Sequence, residues 1–236
     1  MKKFGLVGGV GYLSTIEYYR GINEGYQRRF GPDIKSGVSP PMVIESLNIA
    51  DAYALVAARD WPAFTDLFVR AVDVLHGAGA EFAAIAANTA HIVLDDIRAR
   101  SQVPIIGIVD EVCKRARELG YKKLVVFGTG FTMESGMYER KCAMYGLEAV
   151  VPDAADRRVI HDVIFPNLEA GIVLDHERDA VLSIARRMLS GHGACALVLG
   201  CTELPLIIKD GDVDAPIMDT GEIHIDAILN HISDCP

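Results

Sequence analysis

Two apolar runs in this chain stop at clusters of small hydroxyl and amide side chains: "AAIAANTAH" at 83–91 and "ALVLGCTELP" at 196–205. The second carries a thiol, Cys201, at its turning point, whereas the first has Ala87 in the equivalent place. A thiol serves as a base only when its surroundings help, since at an ordinary pKa near 8.5 only about 3% is thiolate at pH 7. A helix N-terminus lowers that pKa, and the turn Gly200-Cys201-Thr202 is expected to supply one. Asn88 and Thr89 also have a plain reading as helix caps. Glu203 suits a first helical turn, where the dipole favours negative charge, and is also a candidate site residue. His91 reads as structural. Cys113, Cys142, Cys195 and Cys235 read as core or helix-face thiols, because cysteine is commonly buried.

The elements that must position these residues alternate along the chain. Strands are expected at 3–8, 42–46, 82–87, 104–108, 123–128, 147–151 and 195–200. Helices are expected at 14–28, 61–78, 89–100, 110–119, 134–145, 157–171, 176–190 and 221–232. Strands apolar on both faces, alternating with helices, imply parallel sheets covered by helices and so an α/β protein. An internal repeat refines this. "KKFGLVGGVGYLSTIEYY" at 2–19 lies over "KKLVVFGTGFTMESGMYE" at 122–139 with a constant offset of 120, pairing Gly8 with Gly128 and Tyr18 with Tyr138. "AIAANTA" at 84–90 lies over "VLGCTEL" at 198–204 with an offset of 114, pairing Ala87 with Cys201. Two similar lobes follow, one of 1–103 plus 215–236, whose C-terminal helix returns to it, and one of 104–214. Ligands of open α/β sheets bind at the carboxyl ends of strands, where helix N-termini offer N–H groups to anions. Helix N-termini are expected after Gly9, Ala87, Gly128 and Gly200, with the site in the cleft between the lobes.

Composition excludes other classes. The chain of 236 residues is 50% hydrophobic, enough for a large core. Its 32 acidic and 23 basic residues give a net charge of −9, which disfavours nucleic acid and anionic lipid as partners. The apolar runs are far shorter than the ~20 residues that span a bilayer. "MKKFGLVGGVGYL" resembles a signal peptide in its two lysines, but glycines interrupt it and no small-x-small cleavage site follows, so a buried first strand is expected. Five cysteines make no disulfide framework and point to a reducing cytosol. "GGVG" at 8–11 lacks the third glycine of a dinucleotide fingerprint, and no complete P-loop is present. The histidines and cysteines show no C-x-x-C or H-E-x-x-H spacing, so no metal is expected. No lysine stands out as a Schiff-base candidate.

Taken together, "GLVGGVGYLST", "AANTAH", "GTGFTMESGMY", "GCTELPL" and "DTGEIH", in this order and over nearly the whole chain, resemble the aspartate/glutamate racemase family. The resemblance implies a cofactor-independent enzyme of two pseudosymmetric α/β lobes, a homodimer, acting on a small amino-acid or dicarboxylate ligand. It further implies two cysteines facing each other across the α-carbon, one before Asn-Thr and one opening Cys-Thr-Glu. Here the second is Cys201 and the first position holds Ala87, either as a natural variant or as a replacement for a cysteine. Inversion at carbon needs a proton delivered to the face opposite the one deprotonated, which one base does not easily supply. Under this resemblance Cys201 is the general acid/base. Gly9, Asn88, Thr89, Ala90, Thr129, Thr202 and Glu203 are substrate-binding residues, and backbone N–H groups with Asn88, Thr89 and Thr202 hold the carboxylate and its enediolate. Glu169 stands where acidic-substrate members carry a lysine, and 46–53 lacks their arginine, so a neutral or basic amino acid is an alternative substrate. A one-thiol lyase or isomerase similar to the arylmalonate decarboxylases, and a non-catalytic amino-acid binder, remain alternatives.

Overall fold

The computed structural model describes residues 1–31, 37–193 and 195–233, so Cys235, expected to be a core or helix-face thiol, lies outside the described residues. Among the described residues, eight strands form two four-stranded sheets. β1 (Phe4–Gly8), β2 (Met42–Ser46), β3 (Phe82–Ile85) and β4 (Ile105–Ile106) run in the order β2-β1-β3-β4. β5 (Lys123–Phe127), β6 (Glu148–Val150), β7 (Ala196–Leu199) and β8 (Ile217–Asp219) run in the order β6-β5-β7-β8. Every pairing is parallel. The two orders are the same once the second is renumbered, so the sequence repeat is a repeat of topology.

The helices are α1 (Tyr12–Phe30), α2 (Ile49–Ala57), α3 (Trp61–Gly77), α4 (Leu94–Arg100), α5 (Ile108–Glu118), α6 (Gly130–Glu134), α7 (Met137–Met144), α8 (Ala154–Asp162), α9 (Asp175–His192) and α10 (Thr220–Ser233). The chain divides into one unit of Met1–Gly107 with His224–Pro236 and a second of Ile108–Ile223. The sequence places these divisions at 103/104 and 214/215. They fall later because β4 pairs with β3 and β8 pairs with β7, which keeps each short strand with the sheet it completes.

The inner strands β1, β3 and β7 are buried at every position, as strands covered on both faces must be. In the first unit Phe4, Leu6, Phe82 and Ala84 pack with Tyr18, Ile22 and Tyr26 of α1 and Ile228, Leu229 and Ile232 of α10. In the second, Val125, Phe127, Leu197 and Leu199 pack with Val181, Leu182, Ala185 and Met188 of α9. α3 starts where Asp60 accepts the Ala63 N–H at 3.1 Å, and Phe64, Phe68, Val72 and Leu75 form its buried stripe. The sequence misses α2 and β8: the first is a short run capped by Asn48, and the second is only three residues long. It also extends one helix over 157–171. α8 ends at Asp162, and the backbone leaves helical geometry at Phe165, the residue before Pro166, where the proline ring disfavours the α region.

α10 brings His224 into the first unit. Its Nε2 lies 3.0 Å from the Ile106 carbonyl, which can only accept, so Nε2 carries the hydrogen and Nδ1 accepts from the Tyr18 hydroxyl at 2.8 Å. Burial, with a smaller contribution from nearby His91, holds this ring neutral and lowers its pKa to about 3. The native state therefore excludes a proton that the unfolded chain binds near pH 6.5. The contribution of His224 to stability is complete above pH 6.5 and declines as pH falls towards about 3. Denaturant unfolding at pH 7.5, 5.5 and 4.5 is expected to show a loss approaching ~1.4 kcal/mol per pH unit from this group. In His224→Phe that slope should shrink, while stability at pH 7.5 falls by about 1–3 kcal/mol for each partner left unpaired. An unchanged acid slope in this variant would show that another group sets it.

Candidate active site

The second unit assembles a thiol and two carboxylates beyond the end of β7. Gly200 makes this turn possible: a Cβ there would stand 2.7 Å from the Phe127 carbonyl, and its N–H donates to that same oxygen at 2.6 Å. The chain then turns sharply, with the Leu204 N–H donating to the Cys201 carbonyl at 3.1 Å. Cys201 and Glu203 are both buried, so the cysteine thiol donates to Glu203 Oε2 at 2.9 Å and the Thr202 hydroxyl donates to the same oxygen at 3.0 Å. Glu169, in the single 3-10 turn Leu168–Ala170, completes the group. The donor atoms of Glu169, Cys201 and Glu203 lie within 4.8 Å of one another.

This geometry revises the expected electrostatics. Among the described residues the element directly after Cys201 is the 3-10 turn Leu204–Leu206 rather than an α-helix, and Glu203 makes no capping bond to it. Instead of being lowered by a helix terminus, the Cys201 pKa is pushed well above the ordinary thiol value by burial first, then by the charge and hydrogen bond of Glu203, and then by Glu169. The pKa of Glu169 is itself raised to about 7 by burial and by Glu203. At rest the thiol holds its proton, and Glu203 is the acceptor that already faces it. Sequence spacing did not reveal this cluster, because Glu169 comes from a turn more than thirty positions away.

Of the other expected helix N-termini, only that of α1 belongs to a long helix. Gly9, with φ +81° and a Cβ position only 2.0 Å from the Leu47 carbonyl, must be glycine, and its N–H donates to Thr15 Oγ1 at 2.8 Å. In the first unit Ala87 and Asn88 are buried beyond β3, followed by the 3-10 turn Thr89–Val93, in which Ala90 is fully buried. Asn88 makes no side-chain capping bond to this turn, contrary to the capping reading. His91 is structural in its geometry: its ring Nδ1 donates to the Ala87 carbonyl at 2.9 Å. In the second unit Thr129 acts as a cap, accepting the Thr132 N–H at 3.2 Å at the start of the five-residue α6. His161 of α8, which the sequence does not single out, accepts the Gly130 N–H at 3.4 Å. Cys113 and Cys142 are buried with their sulfurs 3.6 Å apart, while Cys195 is half-exposed rather than core.

Comparison with known proteins agrees with this architecture. The sequence model of the family described as Asp/Glu/Hydantoin racemase matches residues 7–228. A Yersinia pestis protein assigned provisionally to the Asp/Glu racemases has a similar structure, with TM-score 0.90 and 32% identity over 99% of this chain and 100% of that one. An aspartate racemase homologue from Pyrococcus horikoshii OT3 has TM-score 0.85 and 31% identity, with the same coverage of 99% and 100%. The broad specificity amino-acid racemase RacX of Bacillus subtilis (strain 168) is 28% identical over 150 residues, or 62% of this chain. The match spans 63% of that relative's length. Among the described residues, no helix is long and apolar enough to cross a membrane.

The electrostatic account is directly testable. Glu203→Gln removes the nearest negative charge from the thiol, so the Cys201 pKa is expected to move down. Residue-resolved alkylation across a pH series, read by peptide mass spectrometry to separate Cys201 from half-exposed Cys195, measures it. A Cys201 profile that stays in place or moves up would remove Glu203 as the governing charge.

Proposed function

This chain belongs to the Asp/Glu/Hydantoin racemase family, and on that premise we propose that it is an amino-acid racemase or epimerase that moves the substrate's α-proton with Cys201 and needs no cofactor. The observation that carries the reading is the buried Cys201 thiol donating to Glu203 just beyond β7. For Cys201 to act as a base, its S–H proton first passes to Glu203. The thiolate then takes the α-proton, and the electron pair of the broken C–H bond moves into the substrate carboxylate as an enediolate. Reversing the two transfers returns a proton to the same face of the carbon; inversion needs delivery to the opposite face, where position 87 carries no thiol. Thr202, bonded to the same Glu203 oxygen, fixes the acceptor's orientation.

The proposal assigns Asn88, Thr89, Ala90 and Thr202 to the substrate carboxylate and its enediolate, with Gly9 and Thr129 as further binding positions and Glu169 and Glu203 close to the reacting centre. Stabilising that developing charge by prearranged donors is the largest contribution such a site makes. The same reading takes the protein to be a cytoplasmic homodimer with a small amino-acid or dicarboxylate ligand. The name of the Bacillus subtilis relative supports an amino-acid substrate. A second reading has its own observation: with Ala87 in place of a partner thiol, Cys201 alone would protonate one face, as a single-thiol lyase or isomerase does. Carbon dioxide release from an arylmalonate without exchange of any amino-acid α-proton would favour it.

Two outcomes follow from single-thiol chemistry. In D2O one enantiomer should exchange its α-proton much faster than it racemises, and Cys201→Ala should abolish the exchange. Equal, rapid racemisation in both directions by the wild type would require a second base and refute the one-thiol account. Ala87→Cys should raise two-way racemisation by the ~10²–10⁴-fold typical of a general acid–base group. Proton NMR measures the exchange and chiral chromatography the racemisation, and a folded Ala87→Cys protein with no gain would argue strongly against the racemase reading.

A further inference from the structure

The proposed proton-transfer site sets two carboxylates beside one thiol. Glu203 faces the thiol and the Thr202 hydroxyl through a single oxygen, and Glu169 adds a second carboxylate within 4.8 Å of both Cys201 and Glu203. Glu169 is held there by its turn. Leu168 beside it is fully buried, Gly171 closes the turn in the left-handed region at φ 74°, its N–H donates to the Leu168 carbonyl at 2.8 Å, and the Ile172 N–H donates to the Asn167 carbonyl at 2.9 Å. Asn167 is tied in turn to Glu177 by a 2.8 Å bond from Nδ2 to Oε1. These bonds fix the backbone from which the half-buried Glu169 side chain projects towards Cys201 and Glu203.

Resting on the amino-acid reading above, we propose that Glu169 determines specificity, and that the substrate is an amino acid whose side chain ends in an ammonium or guanidinium group rather than a second carboxylate. Burial first, and then the charge of Glu203, work against ionisation of Glu169, whose pKa stands at about 7. A dicarboxylic amino acid would bring a further anion to this cluster. A neutral side chain would leave Glu169 as it is. A cationic side chain pairs with Glu169 and draws it into the ionised state, while the α-ammonium is left for the remaining charge. Binding of such a substrate therefore releases a proton near neutral pH, and its KM rises as pH falls below 7.

The test is α-proton exchange in D2O, followed by NMR, for both enantiomers of lysine, ornithine, arginine, norleucine, methionine, aspartate and glutamate. The basic amino acids should exceed norleucine in kcat/KM by about 10- to 100-fold, the worth of one charged hydrogen bond, with aspartate and glutamate lowest. Glu169→Gln should collapse the ratio of lysine to norleucine mainly through KM, Glu169→Asp should restore part of it, and Glu169→Lys should turn the preference towards the acidic pair. Circular dichroism and thermal unfolding report whether each variant folds. The wild-type pH dependence of KM for lysine against norleucine tests the same point without any substitution. Exchange confined to aspartate and glutamate, or a lysine preference indifferent to Glu169→Gln, overturns the proposal while leaving the racemase reading intact. Exchange with none of the seven overturns the racemase reading and this proposal with it.

Discussion

The central constraint is that one proton is shared between a buried sulfur and a buried carboxylate. Cys201 and Glu203 are both buried in one turn, and the proton of the thiol lies against the carboxylate oxygen. Burial penalises the Cys201 thiolate and the Glu169 carboxylate, and the charge of Glu203 discourages both. The thiol keeps its proton at rest, and it becomes a base only once Glu203 has taken that proton.

Everything that holds the pair in place comes from backbone packing. Central parallel strands must be apolar on both faces, so the polar groups they carry collect where the strands stop. β7 stops at Gly200, pressed against the end of β5 so closely that no side chain fits. The next residue is the thiol. At the corresponding point of the first unit the chain presents Ala87, and the hydrogen bond from His91 to its carbonyl secures that backbone without any reactive group. The two sheets share a strand order but not a chemistry: Ala87 and Thr89 stand where the second unit has Cys201 and Glu203.

Fold class was legible in the sequence because strand cores such as "LVVF" and "ALVL" are buried on both faces and therefore unbroken in hydropathy. The repeat was legible because Gly8 and Tyr18 recur as Gly128 and Tyr138 at one constant offset. Short elements were not. β8 has three residues, and α2 relies on the Asn48 cap more than on a long periodic face. At the site, Cys201 and Glu203 could be found from their motif, but the sign of the thiol's pKa shift could not. The sequence suggests a helix after the strand, whereas the chain makes a 3-10 turn, and the carboxylate that most needed placing, Glu169, reaches the thiol only through the tertiary fold. Thr129 shows the converse: a hydroxyl in the right motif is engaged in a helix cap.

α10 starts in one unit and ends in the other, since the division falls between Ile223 and His224. The second unit is continuous in sequence; the first is not. During synthesis the first sheet and α1 leave the ribosome early, yet Ile228, Leu229 and Ile232, which share their core, emerge only after the whole of the second unit. The N-terminal half must therefore wait with part of its apolar surface uncovered while its later-made neighbour can already fold, the reverse of the usual order in which domains complete from the N-terminus. The helix that joins the two units by sequence thus also sets the order in which they can be finished, and the buried partner of Tyr18 arrives with it.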